Sequence, residues 1–165
     1  MFILGHIGFS LAAVYGLKRR IKSVDYRFLL LGSMLPDIID KPLGLLIFAD
    51  TLYNGRTIAH TAVFAIIIST ISLKTKSTKL KMLSMGIWLH LLLDFMFLYP
   101  ATLLWPGLGG FKPLAYHPDF AVELVSNPFV YTTEAIGLAI LLYVFARHRL
   151  YRRENFMRLI KTGNF

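Results

Sequence analysis

Five long apolar stretches, joined by more polar segments, constrain the fold of this 165-residue chain more than any other feature. Each stretch approaches the ~17–25 residues that a helix needs to cross a bilayer. Charged residues make up only 16% of the chain, whereas a soluble domain carries about 25%. The sequence therefore predicts an all-α, polytopic membrane helical bundle and argues against a soluble or disordered protein. The predicted transmembrane helices cover residues 2–17, 28–48, 58–73, 82–99 and 129–146.

The basic residues predict which ends of these helices face the cytoplasm. Fifteen of the eighteen Lys and Arg residues lie in the first connection, the third connection and the C-terminal segment. Because five spans alternate in direction, these segments share one side, and the positive-inside rule makes that side cytoplasmic. We therefore expect an extracytoplasmic N-terminus and a basic cytoplasmic tail at 147–165. No basic residue precedes the first stretch, so we interpret it as a retained span and not as a cleaved signal.

We expect a single integral-membrane domain over residues 1–165. The connection 101–128 is rich in Pro, Gly and aromatic residues, and the predicted topology makes it an extracytoplasmic loop. His117 and Asp119 within it are interpreted as solvated loop residues. His148 lies in the basic tail, on the far side from the candidate site. Because that tail directly follows a span, its charge favours contact with anionic lipid over nucleic acid.

Ionisable side chains inside the apolar stretches are the most informative residues, because a carboxylate at the bilayer centre costs on the order of 3 kcal/mol. Their spacing pairs them on common helix faces, with Asp37 and Asp40 at i,i+3 and His90 and Asp94 at i,i+4. Prolines on both sides of the acidic pair predict a broken second helix. At 1.5 Å rise per residue, all these side chains can meet in the outer half of a small bundle. The candidate metal ligands are His6, Asp37, Asp40, His60, His90 and Asp94.

Three His and three Asp form a ligand set that suits a divalent metal such as Zn²⁺, Mn²⁺ or Fe²⁺. The chain has no Cys, so thiolate ligands are excluded. Six ligands exceed what one catalytic zinc needs, so we expect two ions, with zinc as the first choice. Arg56 either snorkels to the interface or clamps a substrate phosphate. Glu134 is either a structural partner of a neighbouring Thr or His, or a general base or additional ligand.

Four motifs in a fixed order resemble the YdjM-like family of membrane-bound, metal-dependent hydrolases over about residues 1–100. They are Gly5-His6-Ile7-Gly8, Leu35-Pro36-Asp37-Ile38-Ile39-Asp40, Arg56-Thr57-Ile58-Ala59-His60-Thr61 and His90-Leu91-Leu92-Leu93-Asp94. The resemblance implies that the six His and Asp residues form the metal site. Members commonly have Ser after the third-span His, where this chain has Thr61. The family is similar to zinc-dependent phospholipase C, an all-helical enzyme with a multinuclear zinc site, which implies phosphoester chemistry.

The expected function is therefore a membrane-embedded, metal-dependent hydrolase, in which metal-activated water attacks a phosphoester of a lipid or lipid-linked substrate. Arg56 and Glu134 are its candidate catalytic residues. The alternatives are an ion or metal transporter, a non-catalytic scaffold tied by metal and, among enzymes, an amidase or peptidase. The expected location is the cell membrane, with the site facing outwards. No nucleic-acid partner is expected, and the oligomeric state stays open.

Overall fold

A computed structural model describes residues 2–17, 21, 23–113 and 120–165, with residues 120 and 121 described by their backbone alone. This part of the chain contains helices and no strands, which confirms the all-α prediction. A π-helical segment, Leu43–Ile47, continues α2, and short 3₁₀ turns form at Ile58–His60 and Met96–Leu98. His117 and Asp119 lie outside the described residues. The α-helices are α1 (Ile3–Gly16), α2 (Tyr26–Pro42), α3 (Ala62–Thr75), α4 (Thr78–Leu93), α5 (Pro100–Leu103), α6 (Phe120–Ser126), α7 (Pro128–Arg147) and α8 (Arg153–Thr162).

Among the described helices, α7 alone is long and apolar enough to cross a membrane by itself, with 20 residues. The apolar helices α1 and α3 have 14 residues each, which corresponds to about 21 Å at 1.5 Å per residue. That is shorter than the ~30 Å hydrocarbon core of a bilayer. The helical character of the predicted spans is thus confirmed, but five full-length spans are not.

The second helix is not broken at its acidic segment, and this part of the prediction is wrong. It remains α-helical through Pro36 to Pro42 and then continues with π-helical geometry. A proline inside a helix removes one N–H and loosens the preceding turn. In that turn the carbonyl of Ser33 accepts a hydrogen bond of 2.7 Å from Nδ1 of His90 on α4. Packing against a neighbouring helix therefore offsets the free energy that the proline would cost an isolated helix.

Glycines allow two pairs of helices to pack with their backbones in contact. Gly8 of α1 lies against Gly137 of α7, and Gly32 of α2 lies close to Gly86 of α4. A Cβ atom at any of the four would overlap backbone atoms of the facing helix. Small residues at the points of closest approach are typical of helices that associate within a membrane.

The candidate ligand residues face the interior, and many large apolar side chains face outwards. Among the described residues, the three histidines His6, His60 and His90 are fully buried, whereas Leu46 and Leu142 are more than half exposed. The interior also contains apolar side chains such as Leu11, Val14 and Leu29. The outer surface differs from that of a soluble domain in the number of large apolar side chains that it exposes. This distribution indicates that lipid covers the outer surface.

The basic C-terminal segment folds back onto the bundle and ends in α8. The Arg27 guanidinium donates hydrogen bonds to the carbonyls of Ile160 and Lys161 and binds the Asp25 carboxylate at 2.7 Å. The hydrogen bond from Arg27 holds the pKa of Asp25 below its ordinary value, against the opposing effect of burial. The backbone N–H of Tyr26 donates to the carbonyl of Gly163. The segment is thus a docked helix and not an extended tail.

Candidate metal centre

Five imidazole and carboxylate side chains converge in the interior of the bundle. His6 lies in the first turn of α1, Asp37 in α2, and His60 in the 3₁₀ turn before α3. His90 lies in the last turn of α4, and Asp94 is the residue that ends that helix. None of the five residues is more than 7% exposed. The convergence that the spacing predicted is therefore present for these five residues.

The Nε2 atoms of His60 and His90 point towards each other in the interior of the bundle. Their Nε2 atoms are 3.1 Å apart. Nδ1 of His60 contacts Asp40 Oδ2 at 2.7 Å, and Nδ1 of His90 contacts the Ser33 carbonyl at 2.7 Å. Because a carboxylate and a carbonyl only accept, both Nδ1 atoms carry hydrogen, and a neutral ring then leaves Nε2 as an acceptor.

Two acceptor lone pairs at this distance repel each other unless a cation lies between them. Ligand nitrogens that share one zinc ion at about 2.0–2.1 Å are roughly 3–3.5 Å apart. The spacing of the two Nε2 atoms therefore fits two ligands of a single metal ion.

The Asp37 carboxylate completes a first group of possible ligands. Its Oδ1 atom lies 3.7 Å from Nε2 of His60 and 3.9 Å from Nε2 of His90. The ligand atoms of Asp37, His60 and His90 all lie within 4.8 Å of one another. Two imidazoles and one carboxylate match the protein ligand set of many catalytic zinc sites, which leave a position for water or substrate.

His6 supplies a second, overlapping group together with His90 and Asp94. Its ring stacks on the His90 ring at 4.2 Å, and its Nε2 lies 3.1 Å from Asp94 Oδ1 without the alignment of a hydrogen bond. Neither ring nitrogen of this fully buried side chain has a hydrogen-bond partner in the described part of the chain. A buried polar group without a partner costs about 1–3 kcal/mol. A metal ion at this point would provide the missing partner.

Asp40 lies behind His60 and belongs to neither group. Its carboxylate accepts the backbone N–H groups of Thr57, Ala59 and His60 at 2.7, 3.1 and 3.1 Å, in addition to Nδ1 of His60. A carboxylate in this position fixes the orientation and tautomer of a ligand histidine. Sequence spacing grouped Asp40 with Asp37 as a ligand, but the structure gives it the role of supporting His60.

Two cationic side chains lie between this buried centre and the surface. Arg56 contacts Asp94 Oδ2 through Nη2 at 3.0 Å and Nε at 3.2 Å, and Lys41 contacts Asp37 Oδ2 at 2.7 Å. The Arg56 and Lys41 side chains are 36% and 35% exposed. The i,i+4 spacing of Lys41 from Asp37 predicts this pair. Arg56 is directed towards the centre and does not snorkel away from it.

Glu134 contacts the backbone of α1 and not the metal ligands. Its two oxygens accept the N–H groups of Phe2, Leu4 and Gly5 at 3.0, 2.9 and 2.9 Å. A carboxylate at this place satisfies the free N–H groups of a helix N-terminus and opposes its partial positive charge. The carboxylate therefore holds α1 directly before His6, an assignment that helix spacing could not suggest.

The loop that carries Arg56 is held by a residue that sequence analysis missed. Asn54 accepts the backbone N–H of Arg56 at 2.9 Å and donates to the carbonyl of Lys112 at 2.7 Å. The Asn54-Gly55 dipeptide is a typical turn sequence and could have indicated this. At the other end of the bundle, His148 packs on Tyr15 and Phe165, as expected for a residue outside the site.

Comparison with known proteins extends the expected resemblance to most of the chain. Residues 1–156 match the family described as YdjM inner membrane protein. No curated protein matches the chain, and no solved structure does. Similarity to zinc-dependent phospholipase C stays a prediction. The chain belongs to the YdjM family of inner membrane proteins.

Proposed function

We propose that this protein is a multi-pass membrane hydrolase that uses divalent metal ions to cleave phosphoesters of lipids or lipid-linked substrates. The observation that carries the proposal is the 3.1 Å contact between the Nε2 atoms of His60 and His90. Each ring is held from behind by an acceptor, so the pair is preorganised for a cation. The proposed cofactor is two divalent ions, zinc in the first place, because two groups of possible ligands are present. His90 has one free lone pair, on Nε2, so it would bind one of the ions, and the second would depend on the other side chains of the two groups.

The side chains around the centre supply binding and orientation. Divalent ions held there would activate water for attack and offset the negative charge that develops on a phosphoryl group. Asp40 and the Ser33 carbonyl hold the two imidazoles in place. Arg56 and Lys41 point at the centre from its exposed side, where they can bind the non-bridging oxygens of a phosphate. Both now bind carboxylates, so a phosphate would compete with Asp94 and Asp37 for these cations.

The direction of the helices supports a membrane topology with the site outside. α1, α2 and α4 each have one end at the metal centre, and the described basic residues of the first and third connections and of α8 lie at the opposite end. Under the positive-inside rule, this arrangement gives a cytoplasmic C-terminus and an extracytoplasmic site. Short spans are compatible with it if the bilayer thins locally or the bundle tilts.

The absence of cysteine makes the topology directly testable. Thr51→Cys lies at the end with the metal centre, and Lys74→Cys lies at the basic end; both positions are exposed. In intact cells a membrane-impermeant maleimide should label only Thr51→Cys, and permeabilised cells should give labelling of both. Labelling of Lys74→Cys alone in intact cells would reverse the proposed orientation.

Metal content and hydrolysis test the activity. Purified protein should contain zinc and release phosphate, or a phosphorylated headgroup, from a lipid phosphoester in mixed micelles. His90→Ala should lose both metal and turnover, because His90 belongs to both ligand groups. Arg56→Gln should raise KM, whereas Lys112→Gln, a change of an exposed basic residue, should not.

Three results would contradict the hydrolase proposal. Equal turnover by the wild type and by metal-loaded His90→Ala would exclude the metal centre as the catalytic site. Zinc-dependent uptake into vesicles without hydrolysis would favour the transporter. Bound zinc without turnover on phosphoesters or amides would favour a scaffold.

A further inference from the structure

Helix α8 exposes an apolar stripe that nothing in the described part of the chain covers. Phe156, Met157 and Ile160 are 47%, 38% and 48% exposed, and the i,i+4 spacing of Phe156 and Ile160 puts them on one face. Leu159 points in another direction and packs against the buried cluster that contains Tyr26. The helix therefore has one face for the bundle and a second apolar face directed away from it.

This second face has a fixed orientation, because several contacts hold α8 in place. Arg27 binds two of its last carbonyls. Gly163 ends the helix with φ of +75°, and a Cβ atom there would overlap the Asp25 carboxylate. Phe165 packs at a tilt against Tyr26 and stacks on His148, with ring centroids 4.3 Å apart in each case.

The position of α8 along the chain gives its depth relative to the membrane. It follows α7, the one described helix that can cross a bilayer unaided, after a turn of five residues. Asn155 closes this turn by donating to the carbonyls of His148 and Arg149. A helix attached so closely to the end of a transmembrane helix lies at the level of the lipid headgroups.

We infer that α8 is an interfacial helix that binds the anionic headgroup surface of the bilayer. Phe156, Met157 and Ile160 insert at the boundary between headgroups and acyl chains, as the apolar face of an interfacial helix does. Arg153 lies at the N-terminal end of this face and Lys161 at its border. Long basic side chains can reach phosphate from both positions. The inference does not depend on hydrolysis at the metal centre.

The basic charge of α8 favours lipid over a second copy of the chain as the partner of its apolar face. Around the apolar stripe, α8 and the preceding turn carry five basic residues and one acidic residue, which are Arg149, Arg152, Arg153, Arg158, Lys161 and Glu154. Two copies of this face would bring like charges together, whereas an anionic lipid surface complements them.

Fluorescence from single-cysteine variants in vesicles tests the inference on the full chain, which has no cysteine of its own. Ile160→Cys lies in the apolar stripe, and Glu154→Cys lies on the polar side of the same helix. Each variant is labelled with an environment-sensitive fluorophore and reconstituted into vesicles of phosphatidylcholine with or without phosphatidylglycerol. With phosphatidylglycerol present, nitroxide lipids should quench the label at Ile160→Cys several-fold more than the label at Glu154→Cys. Equal quenching at the two positions would overturn the inference.

A second set of variants tests whether membrane binding by α8 requires its basic residues. Arg153→Gln combined with Lys161→Gln should remove the difference in quenching at Ile160→Cys between the two vesicle types. The matched pair Lys74→Gln and Lys81→Gln, at the same end of the bundle, should preserve that difference. If the double variant Arg153→Gln and Lys161→Gln does not fold, comparison of Ile160→Cys in the two lipid mixtures still tests whether binding depends on anionic lipid. Quenching that is the same in both mixtures, or that arises only between labelled copies of the chain, would contradict anionic-lipid binding.

Discussion

The buried carboxylates of this chain differ in which groups occupy their oxygen atoms. Asp37 and Asp94 are bound by side-chain cations and face the histidines. Asp40 and Glu134 are instead occupied by backbone N–H groups of other elements. The first pair is therefore placed where it could bind metal directly, and the second pair holds His60 and the start of α1, with His6, in position.

Asp40→Asn should weaken metal binding without removing a ligand. The amide keeps one acceptor oxygen, but it no longer gives His60 a charged partner, and loss of such a partner lowers metal affinity about 10–100-fold. Competition with a chelator of known affinity measures this change. Asp50→Asn, at an exposed position, is the control and should leave the affinity unchanged. If Asp40 were itself a ligand, the variant would bind fewer zinc ions per chain at saturation.

Glu134→Gln should reduce both stability and metal affinity. The amide group brings donor hydrogens to a place where three backbone donors converge, and an unsatisfied buried group of this kind costs about 1–3 kcal/mol. Because α1 then loses its anchor beside His6, the affinity for zinc should fall as well. Thermal unfolding in detergent and zinc titration measure the two effects, with the exposed Glu154→Gln as control. A loss of turnover with stability and zinc affinity intact would instead identify Glu134 as the general base.

At the scale of helices and turns, the site lies where elements end. His6 lies in the first turn of α1, His60 precedes α3, and Asp94 ends α4. At α1, α3 and α4 the apolar stretches continue beyond these ends, so the predicted spans are longer than the helices, whereas α7 is slightly longer than its predicted span. Spacing predicted which residues converge, because i,i+4 pairs depend only on helix geometry. It could not predict that Asp40 binds a backbone turn twenty residues away, since that contact depends on how the loop folds.

Helix contacts through glycine give a prediction with an internal control. Gly8→Ala in α1 would place Cβ against the backbone of Gly137, and overpacking of this kind costs about 1–3 kcal/mol. A Cβ at Gly16, in the same helix, meets nothing within 4 Å. Gly16→Ala should therefore leave stability unchanged or raise it by up to about 1 kcal/mol. Denaturant titrations followed by circular dichroism compare the two, and equal midpoints would mean that α1 and α7 are not in backbone contact.

For the molecule as a whole, the burial of the ionisable residues and the apolar outer surface were predictable, and the exact topology was not. Low charge content and ionisable residues within apolar stretches predicted that these ionisable side chains lie inside and that many apolar side chains lie outside, and His90 inside with Leu142 outside agrees with this. The contact between Glu134 and α1 spans more than a hundred residues. Nothing in local periodicity determines which helix becomes the neighbour of another.

Removal of metal should destabilise the entire bundle, because the ligand groups connect α1, α2, the turn before α3 and the end of α4. A ligand present at about a thousandfold its Kd stabilises a protein by about 4 kcal/mol. Treatment with a chelator should therefore lower the melting temperature in detergent, and zinc should restore it. His90→Ala removes a member of both ligand groups, so its melting temperature should be low and should change little with chelator or zinc. An identical chelator response in the wild type and in His90→Ala would show that the stabilising ion binds elsewhere.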